Sequence, residues 1–209
     1  MKQVDFINGC LLSIGEREYM VGALSNAAQR RAYKIFKDTF ISFTHECGWS
    51  FLRKVQSPTS WVGNSATVNQ YQSVESVFLG TRRLTPAYEV ELAPIDGTVE
   101  GSVEYYTLLD NKTIQFYSKP RVSDRSLVRV FYTEDLQLPA YSATAIIPFS
   151  SDFINIMEQL MSAKLCLQML DDQGGYSTFM REYMVKSAKA VQRDQRISNS
   201  RPNMFRGGR

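Results

Sequence analysis

Residues 149–170, FSSDFINIMEQLMSAKLCLQML, and residues 176–193, YSTFMREYMVKSAKAVQR, decide how this chain folds. The first segment predicts a helix from Phe149 to Leu170 that is apolar on almost every side. It carries Phe153, Ile154, Ile156, Met157, Leu160, Met161, Leu165, Leu167, Met169 and Leu170 against only Asp152, Glu158 and Lys164. The second predicts an amphipathic helix from Tyr176 to Arg193. Its Phe179, Met180, Tyr183, Met184, Ser187, Ala188 and Val191 fall at i, i+3, i+4, i+7 spacing, opposite Arg181, Glu182, Lys186 and Lys189. A helix that is apolar around its circumference must be covered on several faces. A chain of 209 residues has few elements of its own to supply that cover. Neighbouring subunits are the expected source, with Phe153, Met157, Leu160, Met161 and Leu167 as the expected interface residues.

Ser150 and Ser151 open the apolar helix, and Asp152 suits its positive N-terminal end. Asp171-Asp172-Gln173-Gly174-Gly175 reads as a turn, making the two helices an antiparallel αα-hairpin. Upstream, Val4 to Ile14 predicts a first helix with Val4, Ile7, Leu11 and Ile14 on one face and Gly15 as its stop. Ser25 is the expected N-cap of a long second helix that runs to Glu46 and ends at Gly48. Its inner face is Ala28, Ala32, Ile35, Phe36, Thr39, Phe40 and Phe43.

Between Trp49 and Leu138 the hydrophobic period falls from 3.6 to 2. Val103–Leu108 and Thr113–Ser118 flank a short turn and predict a hairpin. Ser126–Thr133 predicts a third strand with Val128, Val130 and Tyr132 on one side. Shorter candidates lie at Trp49–Val55, Ser73–Leu79 and Tyr88–Leu92, and prolines throughout the region suggest a small antiparallel sheet with exposed edges. The expected architecture is therefore α+β: a helical bundle from residues 1–48 and 149–195, an inserted β-rich subdomain at 49–148, and a flexible, extended C-terminal arm at 196–209.

Composition narrows the class of protein. A net charge of +3, with 44% hydrophobic and 22% charged residues, fits an ordinary soluble protein and is mild for a nucleic-acid-binding domain. No apolar run reaches the ~18 residues of a membrane span, and no signal peptide is apparent. Three cysteines without CxxC spacing suggest small buried hydrophobes of a reducing compartment. The single histidine, His45, sits two residues from Cys47, but i and i+2 on a helix point in different directions, and no orienting acid is evident. Asp171-Asp172 and Glu134-Asp135 read as solvated turn residues, and no phosphate-binding or nucleophile-elbow motif is present. Neither catalysis nor a metal or cofactor is expected. The arginine-bearing tail leaves three possibilities open: a solubilising end, a phosphate-contacting segment, or an arm that orders on a partner protein with Met204-Phe205 as its anchor.

Three signatures, in this order, resemble the head-to-tail adaptor (connector) proteins of tailed bacteriophages, the group that includes the tail tubular protein A of short-tailed phages. Leu11-Leu12-Ser13-Ile14-Gly15-Glu16 resembles the motif that closes that family's first helix, and Cys47-Gly48-Trp49-Ser50-Phe51 is similar to its G-W-x-F. The series from Val103 to Thr133, followed by the 149–195 hairpin, resembles its strand and helix pattern, through Ile114-Gln115-Phe116-Tyr117-Ser118-Lys119-Pro120 and Arg129-Val130-Phe131-Tyr132. The resemblance is loosest between Pro58 and Gly101. It implies a ring of about twelve copies closed by one repeated heterologous contact. The ring would dock on the portal, carry the tail or nozzle protein below, and let genomic DNA pass non-specifically through its lumen. It implies a place at the head–tail junction of the virion, reached from the host cytoplasm. It also implies a portal-docking arm, here Arg193, Arg196, Arg201, Met204, Phe205, Arg206 and Arg209. A nucleic-acid-binding module and another neck or tail completion protein are the alternatives.

Overall fold

The chain builds an α+β protein from five α-helices and two small, mostly antiparallel sheets among the described residues. The computed structural model describes residues 1–46, 48–87 and 101–200, with side chains as far as Arg193. The strand expected at Tyr88–Leu92 lies outside the described residues. Contacts divide the chain into a helical unit, Met1–Ser50 with the segment from Gln137 onward, and a β unit, Phe51–Leu136.

In the helical unit, helix α1 (Gln3–Ser13) buries Gln3, Phe6, Ile7, Cys10 and Leu11. It ends in a Schellman motif: Gly15, at φ 81°, donates its N–H to Leu12 O, and the Glu16 N–H reaches back to Leu11 O. Helix α2 (Ala27–Glu46) is capped by Asn26, one residue later than expected. The Gln29 N–H bonds Asn26 Oδ1 at 2.9 Å, and Gln29 Oε1 accepts from the Ser25 and Asn26 backbone N–H groups, a reciprocal capping box. That box draws Gln29 inward and leaves Ala28, expected on the inner face, exposed.

Helix α4 (Ser151–Leu165) runs through a π-helical turn, Cys166–Leu170, into α5 (Gln173–Ser200). Asp172 caps α5 by accepting the Gly175 N–H at 3.0 Å. A Cβ on Gly175 would collide with the Asp172 carboxylate and lie 2.8 Å from Cys166 Sγ. The two glycines therefore belong to the first turn of the helix, where the sequence suggested a connector. At its other end α5 continues to Ser200, well past the Arg193 at which the apolar pattern was expected to end it.

Residues 137–148 strap the helical unit and are not part of the β insertion. The Gln3 N–H donates to Ala145 O, Gln3 Nε2 donates to Pro139 O, and the Tyr141 ring lies 4.7 Å from Tyr33.

The β unit contains strands β1 (Arg53–Gln56), β2 (Ser60–Val62), β3 (Ser65–Thr67), β4 (Tyr71–Leu79), β5 (Arg82–Arg83), β6 (Thr85–Pro86), β7 (Tyr105–Leu108) and β8 (Thr113–Phe116). A four-residue helix α3 (Val122–Arg125) precedes strand β9 (Val128–Glu134). Two sheets form where one was expected, ordered β1-β9-β4-β5 and β2-β3-β8-β7-β6, and β6 pairs parallel to β7. They share one apolar core of Val77, Val128, Val130 and Tyr132 from the first sheet and Ala66, Tyr106, Ile114 and Phe116 from the second. The β4–β9 register shifts between Tyr71 and Ser73 and again between Val74 and Ser76, so Tyr71, Val74 and Val77 turn toward the core three residues apart. The expected hairpin forms at β7–β8. Its turn is fixed by Asp110, whose carboxylate accepts the Lys112 and Thr113 N–H groups at 2.7 Å.

Two predictions follow from local chemistry. Gly9 stands in the middle of α1, and a Cβ there would meet nothing within 4 Å. Gly9→Ala should therefore stabilise the dilute protein by about 0.5–1 kcal/mol, measured by urea unfolding. Burial first, with the Asp110 charge second, pushes the Tyr71 phenol from 10.0 up to about 12. The folded form keeps Tyr71 neutral where the unfolded chain ionises, so this contribution to stability is whole below pH 10.0 and lost as pH rises through about 12. The urea midpoint of Tyr71→Phe should fall less steeply than that of the wild type over the same window.

Candidate assembly surfaces

Helix α4 fills the centre of the helical unit, packed by α1, α2 and α5. Met157 and Met161 are 0% exposed and Leu160 is 3% exposed in a single copy. The Met161 sulfur receives the Thr39 hydroxyl of α2 at 3.7 Å. Ser162, one residue on, meets the α1 hydroxyl of Ser13 at 2.8 Å. These contacts correct the expectation that Met157, Leu160 and Met161 lie at a subunit interface: this chain covers its apolar helix itself, because α5 closes the side that α1 and α2 leave open. Phe153 is half-buried with its ring 5.0 Å from Trp49, and Leu167 is half-buried in the π turn.

Trp49 joins this core at the end of the first helical segment. It is fully buried, its ring 5.1 Å from Phe43, and its Nε1–H donates to Phe43 O at 2.7 Å. Gly48, at φ 56°, supplies the left-handed backbone that turns the chain after α2. The Gly15 and Gly48-Trp49 signatures thus each perform a folding task, one ending a helix and the other locking a tryptophan into the bundle.

Of the expected arm residues, Arg193 lies on α5, where its guanidinium bonds Asp152 Oδ2 of α4 at 2.8 Å. With Lys186, Lys189, Ala190, Asn155 and Ile156 these two residues line a cleft of about 350 Å³ between the helices. Arg196 is on the same helix, in the stretch whose side chains are not described, and helical backbone replaces the flexible chain expected at 196–200. Arg201, Met204, Phe205, Arg206 and Arg209 lie outside the described residues.

The outward faces hold what the sequence pattern concealed. Helix α5 buries Tyr183, Ser187 and Ala190, whereas Met184, assigned to the inner face together with Ala188, is 61% exposed. Val185 beside it is 50% exposed, and Ala188 is exposed one turn on. The helix therefore carries two apolar stripes, and the periodicity merged them into one. On α1, Leu12 is 53% exposed.

Chemistry is sparse among the described residues. No group of three His, Cys, Asp or Glu side chains there could hold a metal ion, and no helix is long and apolar enough to cross a membrane. His45 is exposed; its suggested partner Cys47 lies outside the described residues. Burial, then the nearby Glu158 charge, pushes the Cys10 thiol well above its ordinary value, while the Ser162 hydrogen bond works the other way. Burial, then the Asp172 charge, raises Cys166 as well. Both thiols are therefore protonated and weakly nucleophilic near neutral pH.

Compared with known proteins, the chain matches no family model and no curated protein.

Paired substitutions separate the buried face from the exposed one. Met157→Glu should destabilise the fold by about 3–5 kcal/mol, since it buries a charge without a partner. Met184→Glu should change the thermal midpoint of the dilute protein by no more than an ordinary surface substitution. Equal melting of the two variants would contradict the central placement of α4.

Proposed function

We propose that this chain is a structural virion protein: a head-to-tail adaptor that forms a ring, docks on the portal of a tailed bacteriophage and provides the platform for the tail protein. The observation that carries this proposal is the position of the two sharpest signatures. Leu11–Glu16 and Gly48–Phe51 stand where the chain leaves α1 and α2, the second where it passes into the β unit. They are the turns such a bundle-plus-insert architecture requires. The exposed apolar residues of α1 and α5 give a ring contacts to use, now that the apolar α4 no longer demands them. Residues 201–209, rich in arginine and bearing Met204-Phe205, serve as an arm that orders on the portal and spends binding energy on that ordering.

A second possibility, a nucleic-acid-binding module, draws on Lys186, Lys189 and Arg193 along one cleft. It is weakened by the pairing of Lys186 with Glu182 at 3.5 Å and of Arg193 with Asp152 at 2.8 Å. It would appear as saturable, salt-sensitive affinity of the monomer for duplex DNA.

The mass of the purified protein decides between them, alone over a range of concentration and mixed with the portal of its phage. The adaptor should reach ring mass in at least one of these conditions, and a monomer in all of them would refute it. A chain ending at Ser200 should melt with the full-length protein yet lose co-sedimentation with the portal; undiminished co-sedimentation would remove the arm from the proposal.

A further inference from the structure

Helix α2 turns a row of positive charge outward. Arg30, Lys34 and Lys37 fall within an arc of roughly 60° and span about 10 Å of the helix axis. The row lies opposite the buried Ala32, Phe36, Thr39 and Phe43, and its three side chains are exposed. No carboxylate among the described residues answers it. Arg30 donates only to two carbonyls, Leu24 O at 3.4 Å and Ser25 O at 3.3 Å. Asp38 stands four residues after Lys34, the usual separation for a helical ion pair, yet the two do not pair.

The acids of α2 are drawn to a different cation. Lys164 of α4 donates to Asp38 O at 3.4 Å and to Ser42 Oγ at 2.9 Å, and it meets the charges of Glu46 and Asp38. Negative charge therefore gathers on the flank of α2 that leans on α4, and positive charge stays on the outward row. Other exposed cations of the chain are paired: Arg53 with Glu75 at 3.1 Å, Lys186 with Glu182 at 3.5 Å and Arg193 with Asp152 at 2.8 Å. Such a separation on one straight helix is a field directed at a partner of opposite sign.

We propose that the Arg30–Lys34–Lys37 face of α2 binds the phosphate backbone of duplex DNA without regard to sequence. A duplex carries about one negative charge per 1.7 Å of its axis, so each cation of the row meets a phosphate in any register. An acidic peptide offers no such regular density. A lipid surface would be matched by an apolar side chain inside the row, whereas the exposed Ile41 comes one turn after it. The row holds no Asn, Gln or aromatic side chain that would read a base edge, hence the indifference to sequence. This face is separate from the cleft lined by Lys186, Lys189 and Arg193. The inference goes beyond the adaptor proposal, which the mass of the ring decides.

Fluorescence anisotropy of the full-length protein with two short duplexes of unrelated sequence tests this. Both should bind equally, with log K falling against log salt at a slope of about −3, which is about 40-fold between about 50 and about 200 mM. Lys34→Gln and Lys37→Gln should each reduce that slope by about one. The two together with Arg30→Gln should abolish binding in a protein that melts as the wild type does, and Lys34→Arg with Lys37→Arg should preserve it. No binding at low salt, a clear preference for one sequence, or a triple variant that binds as the wild type does would each overturn the inference. Loss of binding in Lys186→Gln with Lys189→Gln would overturn it too, by placing the affinity in the cleft. Tighter binding to polyglutamate, or to vesicles of phosphatidylserine and phosphatidylcholine, than to the duplexes at the same salt would overturn the choice of DNA. Every one of these results leaves the adaptor proposal to the mass of the ring.

Discussion

A helix apolar on almost every side must be enclosed over most of its surface, and the helical unit is built around meeting that demand for α4. Three helices converge on it, and the 137–148 strap ties down α1 and α2. Burying each large side chain contributes about 1.5–3 kcal/mol, so the centre of α4 outweighs any surface feature of the unit. Several polar groups taken inside find partners, whereas Gln3 Oε1 and Gln159 Oε1 are buried without one. Thr39 donates to Ile35 O at 2.7 Å, Ser13 meets Ser162 at 2.8 Å, and the Trp49 indole donates to a carbonyl of its own segment. Small hydroxyls suit this centre because they bond locally and leave the helices free to pack closely.

Enclosure within one copy moves the question of assembly from the core to the outward faces. An apolar residue that its own chain covers says nothing about partners, whereas Leu12, Met184 and Val185 remain half-exposed or more. Scattered exposed apolar side chains are ordinary. These three lie on α1 and α5, outside the enclosed centre of α4. The adaptor proposal thus stands on different residues from those that first suggested an assembly.

The β unit meets a separate set of constraints. Its two sheets close on a shared aliphatic and aromatic core, and Asp110 fixes the turn between β7 and β8. Its β1 edge carries Arg53 and Lys54, the first paired with Glu75 at 3.1 Å, which discourages pairing with a foreign strand. Two bulges in β4 place its buried residues three apart. An alternating pattern cannot express such spacing.

The sequence by itself determined the elements whose cause is local: the stop at Gly15, the turn at Gly48, the hairpin around Asp110, the long α2 and the apolar α4. Propensity, capping and turn chemistry act over a few residues, so composition and spacing suffice to place them. Only the tertiary structure decided what covers α4, which stripe of α5 faces inward, where the β insertion ends and that Arg193 pairs with Asp152. Each of these depends on which distant segment arrives at a surface, and hydrophobic burial is non-directional: a helix pattern states that an apolar face must be covered, and leaves open whether the same chain or another supplies the cover.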